Sequence, residues 1–202
     1  MKARASGAMH IDQTGWVASV SARIKKRPSP NCDARPDGVV PSLIVIHNIS
    51  LPPGEFEGDA VERLFTNTLD LDAHPYYAAL RGLLVSAHFM IRRGGDLIQF
   101  VSCAARAWHA GISCFEGRPC CNDFSIGIEL EGSDDHAFEA AQYRSLGALT
   151  DALAQRYRLE AVAGHADIAP GRKTDPGSCF DWDVYLAQVG AKLRRANAEG
   201  AS

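Results

Sequence analysis

The hydrophobic positions of this chain follow two periods, and each period predicts a different kind of element. Ser42–Asn48 is a run of β-branched and large apolar residues, which is typical of a strand buried on both faces. Asp123–Gly132 alternates large apolar residues with small or acidic ones and predicts a second strand. Val85–Arg92 and Asp96–Ser102 flank Gly94-Gly95, a pair that can adopt positive φ, so these runs predict a β-hairpin.

Apolar residues at helical spacing predict the helices. The segment 59–68 shows this spacing briefly, and Ala137–Tyr157 shows it over its whole length. We also expect a short helix at Tyr76–Leu80, a short strand at Ala161–Gly164 and a closing helix at Trp182–Ala196, whose basic last turn suits the helix dipole. Strands that alternate with helices predict an α/β fold in which a central mixed β-sheet is flanked by α-helices.

Length and composition indicate one domain. A chain of 202 residues with 46% hydrophobic and 22% charged residues is typical of a single globular domain. We divide it into a loosely ordered leader (1–27), a folded domain (28–197) and a short tail (198–202). The first residues lack the continuous apolar segment of a secretory signal, and no stretch is long and apolar enough to span a membrane. We therefore expect a cytoplasmic protein with no membrane partner.

Charge and cysteine content argue against nucleic-acid-binding proteins, disulfide-rich proteins and structural zinc sites. The net charge of -3 and the pI of about 6.1 do not indicate the basic surface that nucleic-acid binding requires. Six cysteines in a chain of this size without an export signal are predicted to be free thiols rather than a disulfide framework. Their spacing does not match a structural zinc site.

One turn-rich segment carries candidate chemistry. Gly164–Gly177 is punctuated by glycine and proline and is predicted to be a loop that carries His165, Lys173 and Asp175, while His47 ends the first predicted strand. Two histidines and one carboxylate could be the three protein ligands of a catalytic zinc site, which leaves a fourth position for water. The spacing matches no short metal motif, and a histidine at a strand end is more often a hydrogen-bonded structural residue. The residues alone leave both interpretations open.

One face of the strand Asp123–Gly132 has the composition of a site. Ser125 and Gly127 are small and precede Glu129 and Glu131, so this face has clearance and carboxylates where a core face would carry leucine or valine. We predict that this face lines a functional site, and we interpret Glu131 as a structural carboxylate.

Long motifs of the chain carry a resemblance to a known family. They are PSPNCDARPDGVVPSLIVIHNISLPPGEF, SAHFMIRRGGDLIQFV, RAWHAGIS, CNDFSIGIELEG and GHADIAPGRKTDPG, and they lie between about Pro28 and Trp182. These motifs resemble the type 2 N-acetylmuramoyl-L-alanine amidase family, which also includes peptidoglycan-recognition proteins and phage amidases. They are most similar to its cytoplasmic branch in Gram-negative bacteria. That branch cleaves the amide between the lactyl group of 1,6-anhydro-N-acetylmuramic acid and L-alanine during cell-wall recycling, which also lowers β-lactamase induction where such a circuit exists.

The resemblance implies a role for each candidate residue. It places the family's zinc ligands at His47, His165 and Asp175, its general base at Glu129 and its transition-state-stabilising lysine at Lys173. It implies that the base takes a proton from a zinc-activated water while the lysine and the zinc stabilise the oxyanion. The implied partner is a small muropeptide, and no obligate protein partner is implied.

Five further residues are predicted to contact the muropeptide. Asn48 follows a ligand and can hydrogen-bond the substrate, and Arg172 offers a bidentate fork to a peptide carboxylate. Trp108 either stacks on the sugar ring or caps the core, and Tyr76 is expected at the rim of the pocket. We interpret His88 as a residue that lines the pocket, because a fourth protein ligand would occupy the position that water needs.

Two other functions are considered. An exported amidase acting on polymeric peptidoglycan is disfavoured by the missing signal, and a non-catalytic muropeptide-binding module is disfavoured by the presence of Asp175 and Glu129. Where some relatives carry an arginine that contacts the peptide, this chain has Leu84, so we do not expect that contact. His109 is expected only at the rim, and Met9 is an alternative start because the leader is longer than the family needs.

Overall fold

The computed structural model of the protein describes residues 9–18, 23–189 and 193–196. In chain order its strands are β1 (His10–Ile11), β2 (Val17–Ala18), β3 (Ile24–Lys26), β4 (Cys32–Ala34), β5 (Leu43–Ile49), β6 (Phe89–Ile91), β7 (Leu97–Gln99), β8 (Ala105–Ala107), β9 (Cys114–Phe115), β10 (Arg118–Pro119), β11 (Ser125–Glu131), β12 (Ala161–Gly164) and β13 (Arg194–Arg195). Its helices are α1 (Ala60–Phe65), α2 (Ala140–Arg156), α3 (His165–Ile168) and α4 (Trp182–Val189), with 3-10 helices at Pro75–Leu80 and Cys121–Asp123.

A seven-stranded mixed sheet forms the centre of the fold, in the spatial order β13, β12, β5, β11, β6, β7, β3. The first five strands run parallel to one another, whereas β7 is antiparallel to β6 and β3 is parallel to β7. In parallel strands the carboxyl ends meet at one edge of the sheet, which is where α/β proteins bind ligands. The ends of β5, β11 and β12 therefore define where a site is expected.

One face of the sheet packs on helices and forms the larger core. Alternate residues of β5 and β11 point to this face, and they pack with Leu146, Leu149 and Leu153 of α2 and with Tyr185 of α4. Gln142 in the first turn of α2 ties the helix to the sheet, because its side-chain amide donates to the carbonyls at the ends of β6 and β11. This packing holds the two strands that reach the site.

The α/β fold class and most predicted elements are confirmed. The strand predicted at 161–164 has the predicted bounds, the hairpin is formed by β6 and β7 with Gly95 at φ 85°, and the helix predicted at 137–157 is α2. The short helix predicted at 76–80 is a 3-10 helix. All six cysteines are unpaired. Among the described helices, none combines the length and the apolar composition that crossing a membrane would require.

The prediction of a loosely ordered leader is wrong for the described residues of 1–27. β1 and β2 form a hairpin, and β3 is the edge strand of the central sheet beside β7. Ile11 and Val17 are buried in the larger core, and the Val17 N–H donates to the side chain of Gln99 at 2.7 Å. Apolar side chains inside a polar segment thus anchor it, so the folded region begins before residue 28. The tail 198–202 lies outside the described residues.

The closing helix and the candidate loop also differ from their predictions. α4 is described to Val189, and Arg194–Arg195 form β13 instead of a last helical turn, because they pair with the free edge of β12. Lys192 lies outside the described residues. The segment predicted to be a loop from Gly164 begins with the short helix α3, which places His165 at the junction of a strand and a helix.

Candidate functional site

Three side chains that the sequence predicted as ligands converge at the carboxyl edge of the sheet. His47 Nδ1 lies 3.0 Å from His165 Nδ1 and 2.9 Å from Asp175 Oδ2, and His165 Nδ1 lies 3.1 Å from Asp175 Oδ2. In the described part of the chain, this is the group of histidine, cysteine and carboxylate donors that is close enough to hold a metal ion.

The backbone sets this geometry. Gly164 of β12 pairs with Ile46 of β5, so the two histidines that follow them lie side by side on neighbouring strands. The Ala166 N–H donates to the Asp175 carbonyl at 2.9 Å, which brings the carboxylate back to the start of α3. A Cβ at Gly164 would lie 2.8 Å from Cδ of Pro176, so a glycine is needed where the loop packs on the strand.

The donor set fits a catalytic zinc site. Zinc-to-ligand bonds of about 2.0–2.1 Å in a tetrahedron place the ligand atoms about 3.3 Å apart, close to the separations seen here. Two imidazole nitrogens and one carboxylate oxygen leave a fourth position for a water or a substrate. The three residues could therefore hold a metal of this kind.

Hydrogen bonds on the far side of each imidazole orient the two histidines. His165 Nε2 lies 3.1 Å from the carbonyl of Ala110, which can only accept a hydrogen bond. His165 therefore carries a proton on Nε2, and the lone pair of Nδ1 is directed toward the other two donors. His47 Nε2 lies 3.0 Å from Nδ1 of His109. Such outer partners set the tautomer and orientation of metal-binding histidines.

The protonation states of His47 and Asp175 favour metal binding. Burial lowers the pKa of His47, although the nearby Asp175 carboxylate opposes this, so the ring is neutral at neutral pH. Burial alone would raise the pKa of Asp175, but its close contacts with the rings of His165 and His47 outweigh burial and hold the pKa well below its ordinary value. Neutral imidazole and ionised carboxylate are the forms that bind a metal.

Glu129 lies beside the three donors with a free oxygen. It pairs in register with His47 on the neighbouring strand, it is 7% exposed, and its Oε2 has no hydrogen-bond partner among the described residues. Burial and the negative charge of Asp175 raise its pKa well above the ordinary value, and Lys173 opposes them. A buried carboxylate with a raised pKa and a free oxygen can accept a proton from a water in the site.

An open cleft of about 390 Å³ reaches the donor Asp175 and is lined by residues that include Asn48, Asp134, Arg172, Lys173 and Asp175. Asn48 Nδ2 donates to Asp134 Oδ1 at 2.6 Å. Arg172 Nη2 donates to the carbonyl of Ala110 at 3.2 Å and to that of Ile112. Three of the predicted substrate-contacting and catalytic residues therefore share one cleft, with Lys173 exposed in it.

The structure contradicts the prediction that His88 lines the pocket. Its side chain is 0% exposed, its Nδ1 accepts from the Gly127 N–H at 3.1 Å, and its Nε2 lies 3.2 Å from the carbonyl of Ala105. His88 precedes β6 and thus lies below the carboxyl edge of the sheet, where it cannot reach a ligand.

Trp108 and Tyr76 are not among the described residues that line this cleft. Trp108 is partly buried, and its backbone N–H donates to Ser86 Oγ at 3.3 Å. Tyr76 is exposed on the 3-10 helix. Their contact with a substrate stays a prediction.

The structural interpretation of Glu131 agrees with its contacts. Glu131 accepts from Arg92 Nη1 at 2.6 Å and from the Arg93 N–H at 3.0 Å. Arg92 also donates to Glu62 at 2.7 Å, so the carboxylate is part of a partly buried ion-pair network.

Sequence reasoning missed the importance of His109, which it placed only at the rim. His109 contacts His47 directly, and its ring occupies the clearance that was predicted beside Gly127. The signal that could have found it is that glycine: a small residue inside a central strand indicates a close approach by another group.

Comparisons with known proteins show what this chain is similar to. Residues 37–178 match the family model described as N-acetylmuramoyl-L-alanine amidase. The chain is 54% identical over 183 residues, 90% of its length, to the 1,6-anhydro-N-acetylmuramyl-L-alanine amidase AmpD of Citrobacter freundii, and covers 95% of that relative. A crystal structure of a selenomethionine derivative of AmpD superposes with a TM-score of 0.83 at 53% identity, over 88% of this chain and 98% of that one.

A second solved structure contains a ligand. It is the N-acetylmuramyl-L-alanine amidase AmiD from E. coli in complex with the substrate anhydro-N-acetylmuramic acid-L-Ala-D-γ-Glu-L-Lys. It superposes with a TM-score of 0.54 at 27% identity, over 90% of this chain and 65% of that one. With a family model that matches most of its length and a relative this similar over nearly all of it, the chain belongs to the N-acetylmuramoyl-L-alanine amidase family.

Proposed function

We propose that this protein is a zinc-dependent 1,6-anhydro-N-acetylmuramyl-L-alanine amidase of cell-wall recycling. It hydrolyses the amide between the lactyl group of 1,6-anhydro-N-acetylmuramic acid and L-alanine in small muropeptides. The observation that carries the proposal is the convergence of His47, His165 and Asp175 beside the buried Glu129 and an open cleft. The names of the similar amidases, and the anhydro-muropeptide in one of them, support this choice of substrate.

Each group of the site has a different role in the proposed reaction. Zinc, when bound, supplies a Lewis acid that lowers the pKa of a water toward neutrality and polarises the amide carbonyl. Glu129 takes the proton of the attacking water and delivers it to the leaving nitrogen of L-alanine. Its raised pKa suits both transfers, because a carboxylate must accept the proton and then release it.

Lys173 lies two residues before Asp175 on the same loop, so the positive charge is held beside the metal ligands. The positive charge of Lys173 acts to lower the pKa of Glu129, which indicates that the lysine interacts electrostatically with the site. We assign it to stabilisation of the negative oxygen that forms when water adds to the carbonyl.

Asn48 and Arg172 are assigned to binding of the muropeptide. Both line the cleft, and the Arg172 bonds to backbone carbonyls use one of its nitrogens and leave donors for a peptide carboxylate. A cytoplasmic location belongs to the same proposal, and cell fractionation tests it: recovery in the periplasm would favour an exported amidase.

The proposal is tested by measuring metal content and cleavage on the same purified samples. We expect one zinc per chain and release of tripeptide from anhydro-muramyl-tripeptide, with both lost in Asp175→Ala, because two protein ligands rarely hold the ion. Asp151→Ala removes an exposed carboxylate from α2 and serves as the matched control that keeps both. A protein that binds the muropeptide and releases no peptide would instead be a non-catalytic binding module.

A further inference from the structure

A chain of hydrogen bonds runs from the metal-ligand candidate His47 into the interior. His47 Nε2 lies 3.0 Å from His109 Nδ1, and His109 Nε2 lies 3.1 Å from Ser125 Oγ. Ser125 Oγ lies 2.5 Å from the carbonyl oxygen of Cys121. Four groups from β5, the loop after β8, β11 and a 3-10 helix are thus connected in series.

The last group in this series determines which atom donates and which accepts in each of its hydrogen bonds. The Cys121 carbonyl can only accept, so the Ser125 hydroxyl donates to it and can then only accept from His109 Nε2–H. The described side-chain hydrogen-bond partners of His109 are His47 and Ser125, so no carboxylate balances a positive charge on this largely enclosed ring, which is therefore neutral and carries one proton. With that proton on Nε2, His109 Nδ1 is an acceptor, and His47 must donate from Nε2.

We propose that His109 and Ser125 are positioning residues that hold His47 in its Nε2–H tautomer and so present Nδ1 to the metal. The proposal rests on the metal centre of the proposed function and deepens it. His165 is held in the same Nε2–H tautomer by a single hydrogen bond, to the backbone carbonyl of Ala110. His47 has no such carbonyl among its described hydrogen-bond partners and depends on two side chains instead.

A second observation, independent of the hydrogen bonds, shows that the fold makes room for this ring. A Cβ at Gly127 would lie 2.4 Å from Cγ of His109, so no larger residue fits in the middle of β11. The ring of His88 packs edge-on against that of His109, with the two ring centroids 5.8 Å apart. Glycine inside a strand weakens it, and here it provides the space for His109.

The tautomers can be observed directly by NMR. In the metal-free wild-type protein with ¹⁵N-labelled histidine, long-range ¹H–¹⁵N correlation should show His109 protonated on Nε2 and not on Nδ1, and His47 carrying a proton on Nε2. A His109 protonated on Nδ1 would overturn the proposal. This experiment needs neither zinc nor activity. It therefore tests the hydrogen-bond relay from His47 through His109 and Ser125 to Cys121 even if the proposed function fails or a variant does not fold.

Variants then test whether the relay matters for the metal. Ser125→Ala removes the acceptor of His109, so we expect the Nε2–H signal of His109 to weaken and the zinc affinity to fall by about 10- to 100-fold in competition with a chromogenic chelator. The matched control is Ser29→Ala. Ser29 Oγ also donates to a backbone carbonyl, that of Phe65, at 2.5 Å in the interior, and contacts no residue of the site.

Replacement of His109 separates the relay from simple packing. His109→Asn keeps an amide oxygen close to the position of Nδ1 and should retain more zinc affinity than His109→Leu, which fills similar space without an acceptor. Equal losses in these two variants, or zinc affinities that are the same in Ser125→Ala and Ser29→Ala, would overturn the proposal.

Discussion

The two faces of β5 and β11 use the same backbone for opposite purposes. The face toward α2 carries the fully buried apolar side chains Ile44, Ile46, Ile126 and Ile128. The opposite face carries His47 and Glu129 at its carboxyl edge, with Ser125 and Gly127 below them. Because alternate residues of a strand point to opposite faces, one pair of strands both builds the core and carries the site.

The face that carries the site is less favourable to stability than the face that packs on α2. Burying a carboxylate oxygen without a partner, as at Glu129, costs free energy, and a glycine inside a strand adds to that cost. The apolar face offsets this with side chains that are removed from water entirely. Substitutions on the two faces should therefore have separable effects on activity and on stability.

The largest effect is expected at the site face from Glu129→Gln. This variant keeps the size of the side chain and removes its ability to accept a proton, so kcat should fall by about 10²- to 10⁴-fold. Zinc content, measured by metal analysis, should equal that of the wild type. Loss of the metal would show that Glu129 is a ligand and not a base.

A smaller effect on the same reaction is expected from Lys173→Ala. Removing one stabiliser of the developing oxyanion typically lowers kcat by about 10²- to 10³-fold. The side chain is exposed and is not a ligand, so metal content and thermal stability should be unchanged. A rise in KM at constant kcat would instead assign Lys173 to substrate binding.

On the apolar face, Leu149→Ala should destabilise the protein without changing the chemistry. Leu149 is fully buried in the larger core, so its truncation should lower the free energy of unfolding by about 2–5 kcal/mol in urea titrations. The zinc affinity and kcat of the folded protein should match the wild type. A matched loss of zinc affinity would show that the two faces are coupled.

The smallest effect is the pH dependence of stability caused by Glu129. Its pKa is raised in the folded state from an ordinary value of 4.5, so the native protein binds more protons than the unfolded chain above that pH. The metal-free protein should therefore lose stability as pH rises through this window, by at most about 1.4 kcal/mol per pH unit.

The pH effect is measured as the difference between wild type and Glu129→Gln in urea titrations at several pH values. The lowered pKa values of His47 and His109 act in the opposite direction and cancel in this difference. A difference that grows as pH rises from about 4.5 is expected. A flat difference would contradict a raised pKa of Glu129.

The sequence by itself determined the elements whose signals are local. Alternation and helical spacing are set by the strand and helix periods, so β5, β12 and α2 could be predicted from their own residues. The small residues of β11 likewise indicated a face with a site. The ligand set required the longer motifs of a family, because no short spacing joins His47 to the loop that carries Asp175.

Only the tertiary structure decided which distant groups meet. His47 and Asp175 are 128 positions apart, and strand register together with the turn after α3 brings their atoms to 2.9 Å. The same long-range pairing placed β3 and β13 at the sheet edges, buried His88 below the site and put His109 against Gly127. Local periodicity carries no information about such contacts, because they depend on which strands lie side by side and in which register.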